Sequence, residues 1–105
     1  MKIKQGEVYR VDLGYAGKVR YMVVVSRTDT DPPRALALLA PITTQYRESE
    51  YEVSIGKPKF LRTQSFVNLQ GIVAIQYHEL REKVGKLESR VMGDIEEALR
   101  FTFDL

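Results

Sequence analysis

At 105 residues, with 44% hydrophobic and 29% charged side chains, residues 1–105 have the length and composition of a single soluble globular domain with one core. The formal net charge of +2 is too mild by itself to mark a nucleic-acid binder. Because cysteine is absent, disulfides, zinc–thiolate centres and thiol nucleophiles are excluded together.

The start, Met1-Lys2-Ile3-Lys4-Gln5-Gly6, lacks the apolar run of a secretion signal. No stretch approaches the ~20 apolar residues that span a bilayer. The expected location is therefore the cytoplasm, with no membrane partner. In chain order, Gly6 to Leu13 alternates and predicts a strand, closed by a Gly14-Tyr15-Ala16-Gly17 turn. Val19 to Ser26 is a β-branched run, apolar for most of its length, as in a strand covered on both faces. A polar, proline-broken loop follows at Arg27 to Arg34. Ala35 to Thr43 is rich in Ala and Leu, but Pro41 and the flanking loops favour a buried strand over a helix.

Tyr51 to Ile55 alternates and ends at the turn Gly56-Lys57-Pro58-Lys59. Ser65 to Leu69 and Ile72 to Ile75 are two further short strands, with a bulge or tight bend at Gln70-Gly71. Tyr77 to Lys83 reads as a short helix broken by Gly85-Lys86-Leu87. Ser89 to Phe101 then sets Val91, Ile95, Ala98 and Leu99 at helical spacing, with Ser89 as its N-cap. Phe101 to Leu105 is apolar, which suits core packing or an anchor for a partner. The expected fold class is mainly β with a C-terminal α-helix: a small curled sheet or partly open antiparallel barrel whose opening the helix covers. Strands first and helices last argue against parallel β-α-β units.

Charge is unevenly spread. Lys2, Lys4, Arg10, Lys18, Arg20, Arg27 and Arg34 fall in the first third, and acids gather at Glu48 to Glu52 and near the C-terminus. A positive face opposite a more acidic one follows. Little catalytic equipment is present. The single histidine, His78, reads as a surface or capping residue, and Ser26 and Ser65 have no base to activate them. No metal-ligand spacing, P-loop or dinucleotide fingerprint occurs, so neither metal nor cofactor is expected. What remains is Arg20 at the start of one apolar strand and Thr43-Thr44 at the end of another. A guanidinium matches a phosphate as a rigid, permanently charged fork, and a hydroxyl can hold a non-bridging oxygen. On spacing alone, the plainer readings are a solvated charge and two β-forming threonines.

The order Gly6-Glu7-Val8-Tyr9-Arg10-Val11-Asp12-Leu13, then Val19-Arg20 with Val23-Val24-Val25-Ser26, then Ala40-Pro41-Ile42-Thr43-Thr44-Gln45, resembles the MazF/PemK family of toxin endoribonucleases. Tyr51-Glu52-Val53 and the tail from Gly85 to Leu105 are similar to that family as well. The resemblance implies an SH3-like antiparallel barrel, a homodimer, and metal-independent cleavage of single-stranded RNA. It also implies a toxin restrained by a cognate antitoxin. By the same resemblance Arg20 and Thr43 match the catalytic pair, supported at the substrate by Lys18, Tyr21, Thr44 and Gln45. Tyr15, Tyr21 and Tyr46, with Lys18 and Arg47 beside them, are candidate stacking and phosphate contacts, each with core or rim packing as its alternative.

Three departures stand out. Only Gly14 to Lys18 spans the family's longer first loop, so its acidic residue has no counterpart. The family's Arg-Pro pair is Arg20-Tyr21, and its (D/E)-Q-(I/V)-(R/K) strand appears as Gln70-Gly71-Ile72-Val73. A more open groove is one expected consequence. Rival readings are a non-catalytic member of the fold that poisons gyrase by binding, or a dimeric interaction module.

Overall fold

The structure, a computed structural model, describes residues 2–13 and 19–105. The expected Gly14 to Gly17 turn, with Tyr15 and Lys18, lies outside the described residues. Among the described residues the strands are β1 (Glu7–Asp12), β2 (Val19–Val24), β3 (Leu36–Thr43), β4 (Glu52–Gly56), β5 (Ser65–Asn68), β6 (Val73–Gln76) and β7 (Leu80–Lys86). The helix α1 (Ser89–Phe103) follows them. Pairing is antiparallel throughout, in the order β4-β5-β3-β2-β1-β7, with β6 on β3. Among the described residues no pairing joins β4 to β7, so the expected barrel is an antiparallel sheet that does not close.

The middle strands are apolar on both faces because both faces are covered. Val8, Val23, Ala40 and Val67 pack with Ile95 and Ala98 of α1. On the opposite face Val11, Met22, Val24 and Leu39 pack with Ile3, Ile75 and Leu80. This resolves the ambiguous Ala–Leu run of β3. Helix-propensity differences among ordinary residues stay below about 0.7 kcal/mol each. Fully burying a residue such as Leu39 is worth about 1.5–3 kcal/mol. Burial of Ala37, Leu39 and Ala40 therefore outweighs local preference.

Strand β3 is the hub. It pairs with β2 at Leu39 to Pro41, with β6 at Leu36 to Leu39, and with β5 at Ile42 and Thr43. Pro41 sits where β3 changes partner from β6 to β5, a position that tolerates a missing N–H. The chain between β5 and β6 makes a 3-10 turn at Leu69–Gly71, the tight bend rather than the bulge of the two expected alternatives. Gly71 is required there, since a Cβ would stand 2.9 Å from Pro41 Cγ.

The expected helix at Tyr77 to Lys83 is not formed. Tyr77–Glu79 makes one 3-10 turn, and Leu80–Lys86 is strand β7, paired with β1. The antiparallel ladder with β1 takes up its backbone groups, and ion pairs lie across that ladder. Arg10 meets Glu82 at 3.6 Å, Arg81 meets Asp12 at 3.8 Å and Lys83 meets Glu7 at 3.1 Å. Leu80 is buried on the same strand. Gly85, expected to break a helix, instead lies within β7 beneath the ring of Phe60, which a Cβ would overlap.

Glu7 ties this edge together. Only 4% exposed, its carboxylate accepts from the Lys4 N–H at 2.8 Å, the Tyr9 hydroxyl at 2.9 Å and Lys83 Nζ at 3.1 Å. Burial pushes its pKa up, but the bonds from Lys4, Lys83 and Tyr9 outweigh burial and hold it below the ordinary value. The Tyr9 phenol is pushed up to about 12 by burial and by the adjacent Glu7.

Helix α1 is capped at Glu88, so Ser89 is its first helical residue and not its N-cap. A polar side chain is unnecessary there because the first turn is not buried. The core-packing expectation for the tail also fails. Phe101 and Phe103 are half-exposed and Leu105 is exposed, because the buried stripe of α1 ends at Ala98.

Candidate functional site

Arg20 and Thr43 meet because of strand register. Met22 pairs with Pro41, Val23 with Ala40 and Val24 with Leu39. Carried two residues further, that register sets Arg20 opposite Thr43. Both then lie on the sheet face that carries Met22, Val24 and Leu39, beyond the end of that core. The two residues line one cavity of about 430 Å³. Gln45, Arg47 and Ser49 of the following segment complete one wall, Tyr51 and Glu52 a second, and Asn68 and Gln70 a third.

Local hydrogen bonds decide what these groups offer. Thr43 Oγ1 accepts the Gln45 N–H at 3.1 Å, which leaves the hydroxyl proton free to donate. Asn68 Oδ1 accepts the Gln70 N–H at 3.0 Å, so its amide nitrogen keeps both donors. Glu52 is the one carboxylate among the described lining residues. It accepts from Ser49 Oγ at 2.7 Å, the Ser49 N–H at 3.0 Å and the Arg47 N–H at 3.1 Å. Those bonds, led by the Ser49 hydroxyl, hold its carboxyl below the ordinary range. Two guanidinium groups, a hydroxyl and several amides therefore face the cavity as donors. Its acid is already turned to its own backbone. Such a cavity suits an anion with several oxygens.

The other expected residues distribute as follows. Gln45 joins Arg20 and Thr43. Tyr21 and Thr44 line an adjoining cavity of about 430 Å³, walled by Phe60 to Thr63, which shares Thr43 with the first. Lys18 lies outside the described residues. Ser26 Oγ accepts the Leu38 N–H at 3.0 Å and Ser65 Oγ donates to the Thr63 carbonyl at 2.9 Å, so both hydroxyls serve the backbone. His78 is exposed, with Nε2 at 2.6 Å from Gln76 Oε1, as a surface residue should be.

Ser49, Tyr51, Glu52, Asn68 and Gln70 were not expected in the cavity. One signal existed. Ser49-x-x-Glu52 before an apolar run has the form of a helix-start motif. Here no helix follows, and the Glu side chain closes a loop in which Glu48 takes a left-handed φ of 57°.

The sequence matches the profile of PemK-like, MazF-like toxins of type II toxin–antitoxin systems over residues 4–103. Among solved structures it is similar to an endoribonuclease in complex with its cognate antitoxin from a mycobacterial species. Identity is 27%, with 97% of this chain and 95% of that one covered and a TM-score of 0.84. It is also similar to the Mycobacterium tuberculosis toxin MazF-mt6, at 25% identity, 94% and 97% coverage and a TM-score of 0.83. A MazE–MazF structure from Deinococcus radiodurans, at 16% identity, 100% and 98% coverage and a TM-score of 0.79, shows the shared fold alone. No curated protein sequence matches the chain. With the family profile spanning all of its described strands and α1, this chain belongs to the PemK/MazF-like toxins of type II toxin–antitoxin systems.

Proposed function

We propose that this toxin is a metal-independent endoribonuclease acting on single-stranded RNA in the cytoplasm. The observation that carries the reading is the placement of Arg20 and Thr43 in one donor-rich cavity whose only described carboxylate is engaged by its own loop. In the proposed step the ribose 2′-hydroxyl loses its proton and attacks the adjacent phosphorus. The 5′-oxygen leaves and is protonated, giving a 2′,3′-cyclic phosphate and a 5′-hydroxyl. Arg20 would grip the non-bridging oxygens as charge builds on the phosphorane, and the Thr43 hydroxyl would donate to one of them. Gln45 and Asn68 would orient the strand. The substrate supplies the nucleophile, so the protein needs aimed electrostatics more than a nucleophile of its own.

Two partners follow from the same reading. A cognate antitoxin would compete for the donor-rich cavity with an acidic segment that orders on binding. A second copy would cover the face formed by Leu36, Leu38 and Ala74, since Leu38 pairs with Ala74 and β6 pairs, among the described residues, only with β3.

The test is incubation of the purified protein with mixed-sequence single-stranded RNA in EDTA, beside Arg20→Ala. Cleavage that leaves 5′-hydroxyl ends is expected, and the substitution should slow it by about 10²-fold or more. Intact RNA with folded protein would reject the nuclease and favour a toxin that acts by binding.

A further inference from the structure

The segment between β3 and β4 carries an aromatic feature that the chemistry above leaves unused. Tyr46 lies flat on Phe66, with ring centroids 4.4 Å apart and planes 4° from parallel. Phe66 pairs directly with Thr43, so the two side chains share a face of the sheet. Phe66 belongs to neither core cluster, yet it is only 9% exposed. The Tyr46 ring covers it. Tyr46 itself is 50% exposed. A parallel stack occupies one face of a ring, so the other face of Tyr46 is turned to solvent.

The ring is also held from both sides along the chain. Before it, the Gln45 N–H is bound to Thr43 Oγ1. After it, the Arg47 N–H is bound to Glu52. Gln45 and Arg47 line the cavity that holds Arg20 and Thr43. A flat, exposed aromatic face, held by its neighbours in the chain, therefore stands between two residues of one cavity wall.

We propose that Tyr46 is a stacking platform for a nucleobase adjoining the phosphodiester held at Arg20 and Thr43. The inference rests on the ribonuclease reading above and assigns it a base-binding residue. A base laid on the open face extends the Phe66–Tyr46 stack. Any base has a π-face, so the contact is tolerant of sequence. Because the ring is ordered before RNA arrives, binding does not have to order it.

The probe is a fluorescein-labelled, mixed-sequence RNA carrying 2′-O-methyl ribose throughout, which binds but has no free nucleophile. Its affinity is read by anisotropy for the wild-type protein, Tyr46→Phe and Tyr46→Leu across a salt series. Leucine still covers Phe66 but offers no ring. Tyr46→Leu is expected to weaken binding by about fivefold to a hundredfold, while Tyr46→Phe stays within about twofold. The slope of log Kd against log salt should not change, because stacking releases no counterions. Equal affinity of Tyr46→Leu and wild type overturns the platform. So does a flattened salt slope in Tyr46→Leu, which would mean that cationic contacts had been displaced instead. A wild-type protein that cleaves RNA while Tyr46→Leu binds normally rejects the platform alone. A wild-type protein that neither binds nor cleaves rejects the ribonuclease reading with it.

Discussion

Two carboxylates in this molecule accept several hydrogen bonds each, and they do different work. Glu7 is buried in the β1–β7 edge and binds a backbone N–H, a phenol and a lysine that lie on separate parts of the sheet. Glu52 stands at the rim of the cavity and binds only the loop just before it in the chain. The first joins elements that are 76 residues apart at Lys83; the second closes a turn of three to five residues. Loss of a long-range bond inside low-dielectric surroundings is felt as stability. Loss of a short-range one at the surface is felt as loop geometry, with global unfolding scarcely affected.

Glu7→Ala should separate the two most sharply. It leaves the buried Tyr9 hydroxyl and the Lys4 N–H without their acceptor, while the half-exposed Lys83 turns to solvent, so a stability loss of about 1–3 kcal/mol is expected in urea unfolding. RNA cleavage per folded molecule should persist. Equal losses of stability and activity would break the distinction. Gly85→Ala comes next on the same edge. The added Cβ would overlap Phe60, and relieving it should cost about 1–3 kcal/mol, again without a selective effect on cleavage.

Glu52→Ala is the converse experiment. The unfolding midpoint should hardly move, while KM for RNA rises as Arg47 and Ser49 lose their fixed positions on the cavity wall. Glu52→Gln, which keeps an acceptor for the Ser49 and Arg47 N–H groups, should recover most of that loss. A fall in kcat shared by both substitutions would make Glu52 a participant in proton transfer instead.

The smallest effect is the pH dependence of stability. The Glu7 pKa is lowered on folding, so its contribution is present above the unfolded carboxyl value and fades as pH falls through the folded one. Tyr9 runs the opposite way. Its raised pKa of about 12 leaves the contribution intact below the unfolded phenol value near 10 and removes it as pH climbs toward 12. Stability of the wild type should decline at both ends. Glu7→Gln should flatten the acid limb, as followed by urea titrations at successive pH values.

Legibility followed the same divide between local and distant partners. Arg20, Thr43 and Gln45 lie at the ends of two apolar runs, but it was the resemblance to the MazF/PemK family, and not their spacing, that brought them together. Asn68 and Gln70 arrive from β5 and the turn beyond it, through the β3–β5 register, which leaves no trace in the local pattern. Leu80 to Lys83 looked helical because strand β7 draws its order from pairing with β1, which lies near the other end of the sequence. Glu52 was visible as part of a motif, but whether Ser49-x-x-Glu52 starts a helix or closes a loop depends on β4 being held by β5. The apolar tail misled for a simpler reason. Composition cannot tell which side of α1 the sheet will occupy.

The antiparallel pairing of β1 with β7 has a consequence for the birth of the molecule. Val8 needs Gly85 across the ladder, and Ile95 and Ala98 above it, before its face of the sheet is sealed. A growing chain on the ribosome can complete Arg20, Thr43 and the cavity segment in sequence long before it can complete the edge that stiffens them. The β1–β7 edge and the α1 cover over it can therefore form only after the cavity segment is already in place in the sequence.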